Sequence, residues 1–588
     1  MDKIIVSLVI LFVVVSLYKE LFRPVATFVI AIVVLLLFRI LSPKDVLAGF
    51  ANEQIAVIFL LLVLSDVIKK TGALDISMKK IFKPGLSYPS FMTRMFGSVS
   101  FTSAWVNNTP LVAIMIPHIY QWARKCKISP SKVLLPLSYA AILGGTVTLV
   151  GTSTNLVVNS LTVEAHLPPL KMFDFTLIGI PLVILGGLFL LVAGHKLLPE
   201  RHDLLSGFSE KSREYITETV VPAGSPLIGK NIEEANLRNL RGLFLVEIIR
   251  DGRQIVPVSP REIIRQSDEL IFAGEVNTII DLVKDPSILS LPQFSNLHPQ
   301  ENITIVDVVI STNSVMNGMS VKNTNFRGKY DAAIVAISRN GEKLSGKIGD
   351  TLLQAGDLLL LVVGKDFYQR TEGVQDFYII SNVRELNHIN SKKVWLILLF
   401  TLAVFVLSGI GIISLFFGLL ILLSIFAFFK FVKLKEVKEN LDLQLLLMLV
   451  LSLALGKAIE LSGTANVLAN MMISVTQSLH SPVIILLGLF LITLILTNVI
   501  THAAAAAVIF PIAVAAAVQL GLDTKPFILA VAYAASCGFM TPFSYQTNLM
   551  VYGPGGYKFS DYLHIGFWMT LISVVVCVGG LGLVYGLF

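Results

Sequence analysis

Residues 538–549 read GFMTPFSYQTNL and decide the fold, because they place a polar interruption inside a long apolar run. Glycine, proline, threonine, serine and asparagine in this density break a helix and leave backbone polar groups without helical partners. A lipid bilayer tolerates broken backbone only where protein or a water-filled site satisfies those groups. The stretch therefore predicts a membrane helix that is interrupted near its middle, at a functional site.

A second interruption of the same kind, GGTVTLVGTSTNL, lies at residues 144–156. Its Asn155 matches Asn548 at an offset of 393, and Pro117 matches Pro511 at an offset of 394. Around these residues SYAAILGG also matches AYAASCGF at the offset of 394. Matches at nearly one offset predict an internal duplication of the membrane part.

The composition indicates a membrane protein with a polar insertion. Apolar types make up 54% of the 588 residues and charged types 14%, with a mean hydropathy of +0.77. A soluble protein carries about a quarter charged residues, so an ordinary soluble enzyme, a disulfide scaffold and a disordered chain are excluded. No basic stripe interleaved with aromatic residues predicts a nucleic-acid partner, and no motif predicts a cofactor.

The polar insertion is itself duplicated and reads as short strands with turns. We predict four segments: a membrane repeat at 1–200, two small α/β domains at 206–296 and 297–388, and a second membrane repeat at 391–588. Hairpin turns are expected at Asp251-Gly252 and Asn340-Gly341. The two α/β domains match at an offset of 89 through Gly229 and Gly318, Arg238 and Arg327, and Gly252 and Gly341.

Positive charge sets the predicted orientation. Lysine and arginine cluster at 19–23, 69–83, 124–132 and 430–438, and such clusters mark cytoplasmic loops. With these clusters inside, residues 201–390 are cytoplasmic in a multi-pass protein of the cell (inner) membrane, and the two halves are inverted. We therefore predict an α-helical polytopic fold of two inverted repeats, which is typical of secondary transporters.

Each predicted repeat has five spans and one re-entrant hairpin, at about 88–123 and 482–519. The first hairpin carries Asn107, Asn108 and Thr109 at its tip, and the second carries Asn498, Thr501 and His502. Two polar tips and two interrupted helices are expected to meet near the midplane. A purely structural hydrogen bond to a neighbouring helix is the alternative for Asn498.

The charge inventory of this predicted site favours an anion. No Asp, Glu, Lys or Arg occurs within 97–123, 133–163, 481–522 or 526–557, although a buried carboxylate would anchor a cationic or proton-exchange substrate. Half-helices expected to start near Pro110, Leu156, Ala503 and Leu549 would aim their N-termini at the site, which suits an anion. Neutral oxygen ligands suit Na⁺, so the residues predict an anion symporter with Na⁺.

Three motifs resemble the divalent-anion/sodium symporter (DASS) family of the ion-transporter superfamily. They are the tip Asn108-Thr109-Pro110, GTSTN at 151–155, and TPFSYQTNLMVYGPGGYKFSDY at 541–562. The α/β pair resembles RCK_C (TrkA-C type) domains, so the likeness covers essentially the whole chain. It implies a homodimer with an elevator-type motion, two Na⁺ sites beside a small inorganic or dicarboxylic anion, and regulation through an unidentified small ligand at the RCK_C domains.

The resemblance also implies site residues, with no metal beyond Na⁺. The implied cation-binding residues are Asn108, Thr109, Gly151, Thr152, Asn155, Thr501, Thr541 and Asn548, and the implied substrate-binding residues are Asn107, Asn108, Thr109, Ser153, Thr154, Thr501, His502, Pro542 and Thr547. The second tip departs from the Ser-Asn-Thr pattern, with Thr501, His502 and Ala503. His502 either donates a fixed hydrogen bond or couples H⁺, because imidazole titrates near neutral pH.

Other function classes remain as alternatives. A potassium channel-like protein is suggested by the RCK_C resemblance but needs a TVGYG-type filter, which the sequence lacks. A cation/proton antiporter of the same superfamily is disfavoured by the absence of carboxylates in the site. The sequence shows no arrangement of nucleophile, histidine and acid that indicates an enzyme. A sulfate-like anion is favoured over a dicarboxylate because the predicted site contains no arginine.

Overall fold

The computed structural model describes most of the chain, with gaps concentrated in the polar insertion. The described residues are 1–19, 21–22, 24–70, 81–82, 85–201, 216–237, 243–251, 253–255, 257–274, 288–289, 304–311, 314–339, 342–344, 348–364, 366–371, 374, 376–380, 391–429, 443–476 and 481–588. The predicted turn residues Gly252, Asn340 and Gly341, and the lysine clusters within 71–80 and 430–438, lie outside these ranges.

The helices fall into two groups that flank the α/β insertion. The first group is α1 (Asp2–Tyr18), α2 (Pro24–Leu37), α3 (Pro43–Ala48), α4 (Glu53–Lys70), α5 (Tyr88–Ser103), α6 (Asn108–Lys125), α7 (Leu134–Gly145), α8 (Ser153–Glu164) and α9 (Thr176–Leu197). Two short helices, α10 (Phe326–Tyr330) and α11 (Phe367–Arg370), belong to the insertion.

The second group begins after the insertion and repeats several features of the first. It comprises α12 (Ser391–Gly409), α13 (Leu415–Phe428), α14 (Leu443–Leu461), α15 (Thr464–Thr476), α16 (Pro482–Val499), α17 (His502–Gln519), α18 (Lys525–Ser536), α19 (Gln546–Tyr552) and α20 (Phe559–Val584). The helix pairs α5–α6 and α16–α17 are each joined by a tip of only a few residues.

Within the described ranges, four helices are long and apolar enough to cross a membrane: α9, α16, α17 and α20. The number rises to six if two sharply bent helix pairs, α3 with α4 and α14 with α15, each count as one span. The spans α7–α8 and α18–α19 fall below this length because each is divided into two short helices. These apolar helices fit a polytopic membrane protein, while five spans plus a hairpin per half, and the inversion, stay predictions.

The second part of each interrupted span packs against the helix group of the other half of the chain. The helix α8 packs on α17 and α18 of the second half, and α19 packs on α6 and α7 of the first half. Each hairpin also packs on the first part of the interrupted span that follows it. In the first half α5 and α6 pack on α7, and in the second half α16 and α17 pack on α18. Both interruptions consequently lie between the two halves of the membrane part.

The half-helices begin one to three residues earlier than the sequence predicted. They start at Asn108, Ser153, His502 and Gln546, and not near Pro110, Leu156, Ala503 and Leu549. Capping explains the earlier starts at the two tips. The Asn107 side chain accepts a hydrogen bond from the Thr109 N–H, and the Thr501 hydroxyl accepts one from the Ala504 N–H, so both residues act as N-caps.

The insertion contains two antiparallel sheets with the same strand order. The first sheet is β1 (Ile216–Val220), β4 (Glu269–Gly274), β2 (Leu243–Arg250) and β3 (Arg253–Ile255), in that spatial order. The second is β7 (Glu342–Lys343), β6 (Ala332–Arg339), β8 (Leu358–Val363), β5 (Thr304–Ile310) and β9 (Phe377–Ile379). Without β9, and read from β5 to β7, the second sheet has the same strand order as the first, with β5, β8, β6 and β7 in the places of β1, β4, β2 and β3.

The likeness of the two sheets extends to bulges and ion pairs. A register shift lies between Leu245 and Glu247 in one sheet and between Ile334 and Ala336 in the other. In addition, a bidentate arginine–aspartate pair closes each sheet at the same point, Arg250 with Asp268 and Arg339 with Asp357. The predicted domain boundaries themselves stay predictions.

Candidate functional site

The first hairpin tip is organised around the side chain of Asn108, which is 1% exposed. Its amide nitrogen donates to the carbonyl oxygens of Ala141 at 3.2 Å and Gly151 at 3.1 Å, and its amide oxygen accepts from the Tyr545 hydroxyl at 3.1 Å. The hydroxyl of Ser103, at the end of α5, also contacts this amide and donates to Ala141 at 2.7 Å. Several neutral oxygens therefore converge on one amide group.

Two glycines make this convergence possible. A Cβ atom on Gly145 would lie 2.7 Å from the side-chain oxygen of Asn108, and one on Gly151 would lie 2.6 Å from the carbonyl oxygen of Gly145. Real Cβ contacts are longer than this, so any larger residue would push the interruption away from the tip. This explains why the first interruption is rich in glycine.

The two interruptions meet through the N-caps of α8 and α19. Thr152 and Tyr545 occupy equivalent positions, with φ and ψ of −136° and 145° against −144° and 138°. Their hydroxyl groups are 2.7 Å apart and hydrogen-bonded. Beside them, the Thr109 hydroxyl donates to the side-chain oxygen of Gln546 at 3.0 Å. The N-termini of two half-helices and the first tip thus surround a common point.

Asn155 and Asn548 make equivalent hydrogen bonds to the backbone of the two interruptions. The Asn155 amide nitrogen donates to the carbonyl of Thr148 at 2.9 Å, and that of Asn548 donates to the carbonyl of Thr541 at 3.2 Å. In both cases the carbonyl belongs to the residue seven positions earlier. The two asparagines therefore satisfy backbone groups that the broken helices leave free, and their assignment to the cation sites stays a prediction.

The second tip makes the same side-chain contact to the interrupted span as the first, but the residue at its centre is different. Thr497 donates to the carbonyl of Ala535 at 3.1 Å, as Ser103 does to Ala141. His502 stands in the position of Asn108, is half-buried, and stacks its ring on that of Tyr545 with centroids 5.3 Å apart. The second tip consequently offers an imidazole where the first offers an amide group.

The other predicted residues are distributed around these two tips. Asn107 and Ser153 line a small cavity with apolar residues of α4, while the Thr154 hydroxyl is fully buried and has no hydrogen-bond partner. Thr547 bonds to Ser138 of α7 at 2.9 Å. In the second half, Thr501 faces Met448, Thr541 lies 3.5 Å from Asn498 and Pro542 is buried within the interruption.

Four polar residues of this region are not among those predicted from the sequence. Ser103, Ser138, Tyr545 and Gln546 all contact predicted site residues. Ser103 was detectable, because Thr497 precedes the second tip at the same spacing. Tyr545 gave no such signal, since its partners Asn108 and Thr152 lie about 400 residues away in the chain.

The arrangement suits an ion or a polar solute rather than bond chemistry. The four segments that form the tips and interruptions contain no Asp, Glu, Lys or Arg, so the polar groups are hydroxyl and carbonyl oxygens, amides, the His502 imidazole and helix N-termini. Among the residues that the structure describes, no group of three or more His, Cys, Asp or Glu side chains could hold a metal ion.

Broken membrane helices that meet at an uncharged polar centre are typical of membrane transporters. Comparison with known proteins gives the family. The sequence model of the citrate transporter family (CitMHS) matches residues 8–525. The chain belongs to this family.

Three relatives indicate the range of proteins to which the chain is similar. A candidate sulfur deprivation response regulator of Chlamydomonas reinhardtii is 32% identical, over 92% of this chain and 96% of the relative. Sodium/sulfate cotransporter 2 of the same organism is 21% identical, over 94% of this chain and 86% of its own length. The sodium-dependent dicarboxylate transporter SdcS of Staphylococcus saprophyticus is 33% identical over 24% of this chain and 27% of that protein.

Proposed function

We propose that this protein is a secondary transporter that couples the uptake of a small divalent anion to Na⁺. The observation that carries the proposal is the Asn108 centre, where neutral oxygens converge beside two half-helix N-termini and no charged side chain is present in the surrounding segments. The similarity to proteins named as sodium/sulfate and sodium-dependent dicarboxylate transporters supports the proposal.

The proposed cation site is the Asn108 centre itself. The Asn108 amide group meets the Ser103 hydroxyl and the carbonyl oxygens of Ala141 and Gly151 at one point. With the amide turned so that its oxygen faces this point in place of its nitrogen, all four groups are neutral, hard oxygen ligands of the kind that suits an alkali cation. A cation bound there adds a positive charge next to the N-termini of α8 and α19. That charge strengthens the attraction of both half-helices for an anion, which gives a physical basis for coupling.

We place the anion at the meeting point of the two half-helices, beside Thr109, Ser153 and Thr154. The unpartnered and buried Thr154 hydroxyl supports this position, because buried polar groups ordinarily have a hydrogen-bond partner. Sulfate is favoured over a dicarboxylate because the surrounding segments supply no arginine or lysine to pair with carboxylates. A dicarboxylate remains the second substrate in the proposal.

Transport itself is proposed to follow an elevator-type motion of a homodimer in the cell membrane. The exchange of α8 and α19 between the two bundles supports a site that moves as one body, because both interruptions and both tips are packed together. The two α/β domains are proposed to be RCK_C-like, regulatory and cytoplasmic. The sheet of the second domain lies against α19, through Gly356 and Leu358.

Uptake assays in sealed vesicles test the function class. We expect labelled sulfate to accumulate in vesicles that contain the protein, and we expect unlabelled sulfate to compete better than succinate. Rubidium uptake should equal that of empty vesicles. Rubidium uptake without sulfate uptake would instead assign the protein to the channel-like class.

The identity of the second coupling ion depends on His502 at the second tip. A neutral imidazole offers nitrogen and is a poor Na⁺ ligand, so the second tip either couples H⁺ or binds no ion. We expect His502→Asn either to add a second Na⁺ requirement or to flatten the dependence of uptake on pH. Uptake measured against pH and Na⁺ concentration checks this, and two unchanged curves would exclude ion coupling at His502. The variant Asn498→Gln is a suitable control, because the Asn498 amide nitrogen bonds within its own helix, to Leu494.

A further inference from the structure

The two α/β domains differ on one face of their sheets. In the second sheet, alternate residues point away from that domain's own core and join the apolar core of the membrane helices; we call them the docking face, and they are Val309, Ala336, Leu358 and Leu360. Their neighbours Leu359 and Leu361 instead belong to the separate core of the second domain. The second sheet is thus covered on both sides.

The first sheet does not have this face, because its equivalent positions are more polar. In the first sheet Glu247 pairs with Ile271, and in the second sheet Ala336 pairs with Leu360 at the equivalent position. Two residues further along, Ile249 pairs with Glu269 in the first sheet, and Ser338 pairs with Leu358 in the second. Glutamates therefore stand where the docking face has Ala336 and Leu358. Burying a carboxylate against an apolar helix is unfavourable. Glu247 is buried within the first domain, and no described residue of that domain belongs to the apolar core of the membrane helices.

The element under the docking face is α19, the half-helix that carries the site at its other end. A Cβ atom on Gly356 would lie 2.9 Å from the side chain of Leu549 in α19. A Cβ atom on Gly553, just past α19, would lie 2.5 Å from the carbonyl oxygen of Gly356 and 3.3 Å from Leu358. The backbones of the domain and of the half-helix are therefore in direct contact.

The first domain shows that backbone geometry alone does not require glycine at position 356. Gly356 has a φ of +85°, and its counterpart Ser267 has a φ of +63° in the equivalent turn. Each of these residues donates its N–H to the equivalent carbonyl, that of Ile310 and that of Val221. Serine is thus accommodated in this turn, and the added requirement at 356 comes from the approach of Leu549.

The contact lies close to the transport site. The helix α19 has seven residues, which is about 10 Å of helix, and a helix this short is not stable without support. At its N-terminus Gln546 meets Thr109 of the first tip, and Asn548 holds the second interruption. At its other end α19 contacts the second α/β domain through Leu549 and Gly553, in addition to its contacts with α6 and α7.

We propose that the docking face is a positioning surface for the transport site: the second α/β domain holds α19 in place, and loosening this contact weakens the binding of the transported anion and of Na⁺. A change within the α/β domain that alters the docking face would thereby alter the position of the residues at the first tip. The inference rests on the proposed function, because the affinity of transport is its readout.

Substitutions on both sides of the contact test the proposal in the full-length protein. We expect Gly356→Ser and Gly553→Ala each to raise the half-saturating concentrations of sulfate and Na⁺ by about five- to tenfold. The matched control is Ser267→Gly in the first domain, which alters the equivalent turn away from α19 and should leave both concentrations unchanged. Uptake is normalised to the amount of each variant in the membrane.

A double variant checks that the effect passes through the contact. Leu549→Ala removes the atoms that Gly356→Ser would strike, so the two changes together should raise the half-saturating concentrations by less than the product of their separate effects. Unchanged concentrations in both glycine variants, a product of independent effects in the double variant, or a higher maximal rate without a change in affinity would each overturn the proposal. Absence of uptake by the native protein would refute the function itself, whereas native uptake with unshifted variants refutes only this inference.

Discussion

Replacing Asn108 by alanine should reduce Na⁺-dependent sulfate uptake to the level of empty vesicles. The substitution removes the whole amide group from the proposed cation site and leaves the Ser103 hydroxyl and the carbonyls of Ala141 and Gly151 without their shared partner. A polar contact to a charged group contributes about 1.5–3 kcal/mol, which corresponds to about 10- to 150-fold in affinity. Initial uptake rates over a series of Na⁺ concentrations measure the effect.

The control for Asn108→Ala is Asn498→Ala, a change of the same chemistry beside the other tip. Its amide nitrogen bonds the carbonyl of Leu494 in its own helix at 2.7 Å, and its amide oxygen makes only a long contact of 3.5 Å with the Thr541 hydroxyl. We therefore expect less than about a threefold change in uptake. Equal losses in both variants would indicate a general disturbance of the hairpins. Retention of Na⁺-dependent uptake by Asn108→Ala would contradict the proposed cation site.

Replacing Tyr545 by phenylalanine should raise the half-saturating concentration of Na⁺ by about tenfold or more. The change keeps the ring that stacks on His502 but removes the hydroxyl that bonds both Asn108 and Thr152. Each buried partner left unsatisfied costs about 1–3 kcal/mol, and one of these partners belongs to the cation site. The measurement is the Na⁺ dependence of sulfate uptake.

A second buried tyrosine provides the comparison for Tyr545→Phe. The hydroxyl of Tyr533 donates to the backbone carbonyl of Phe175, away from both tips. We expect Tyr533→Phe to lower the amount or thermal stability of the protein while the half-saturating Na⁺ concentration stays unchanged. If the two variants shift the Na⁺ dependence alike, Tyr545 has no specific part in cation binding.

The sequence carried much of the information about where the site would be, and the reasons are local. Polar, glycine-rich stretches inside apolar runs are detectable because a bilayer leaves few explanations for them. The exact helix starts were less accessible, since Asn107 and Thr501 cap their helices with side chains that also suit a loop. Hydrophobic periodicity alone places a helix end only within a few residues.

Contacts between distant parts of the chain could not be predicted from single stretches. Tyr545 lies next to Asn108 only because α8 and α19 are exchanged between the two bundles. The docking face has the same limitation. Its alternating leucines in β8 are typical of any strand buried on both faces, and only the structure shows that the membrane helices form one of the two covers.

The most direct test of the account is the uptake of labelled sulfate by purified protein in proteoliposomes under an inward Na⁺ gradient. We predict accumulation of sulfate above the external concentration, its loss when choline replaces Na⁺ or when the gradient is dissipated, and no accumulation by Asn108→Ala. Sulfate uptake that is equally fast and equally concentrative in choline would contradict the claim that Na⁺ at the first tip drives transport.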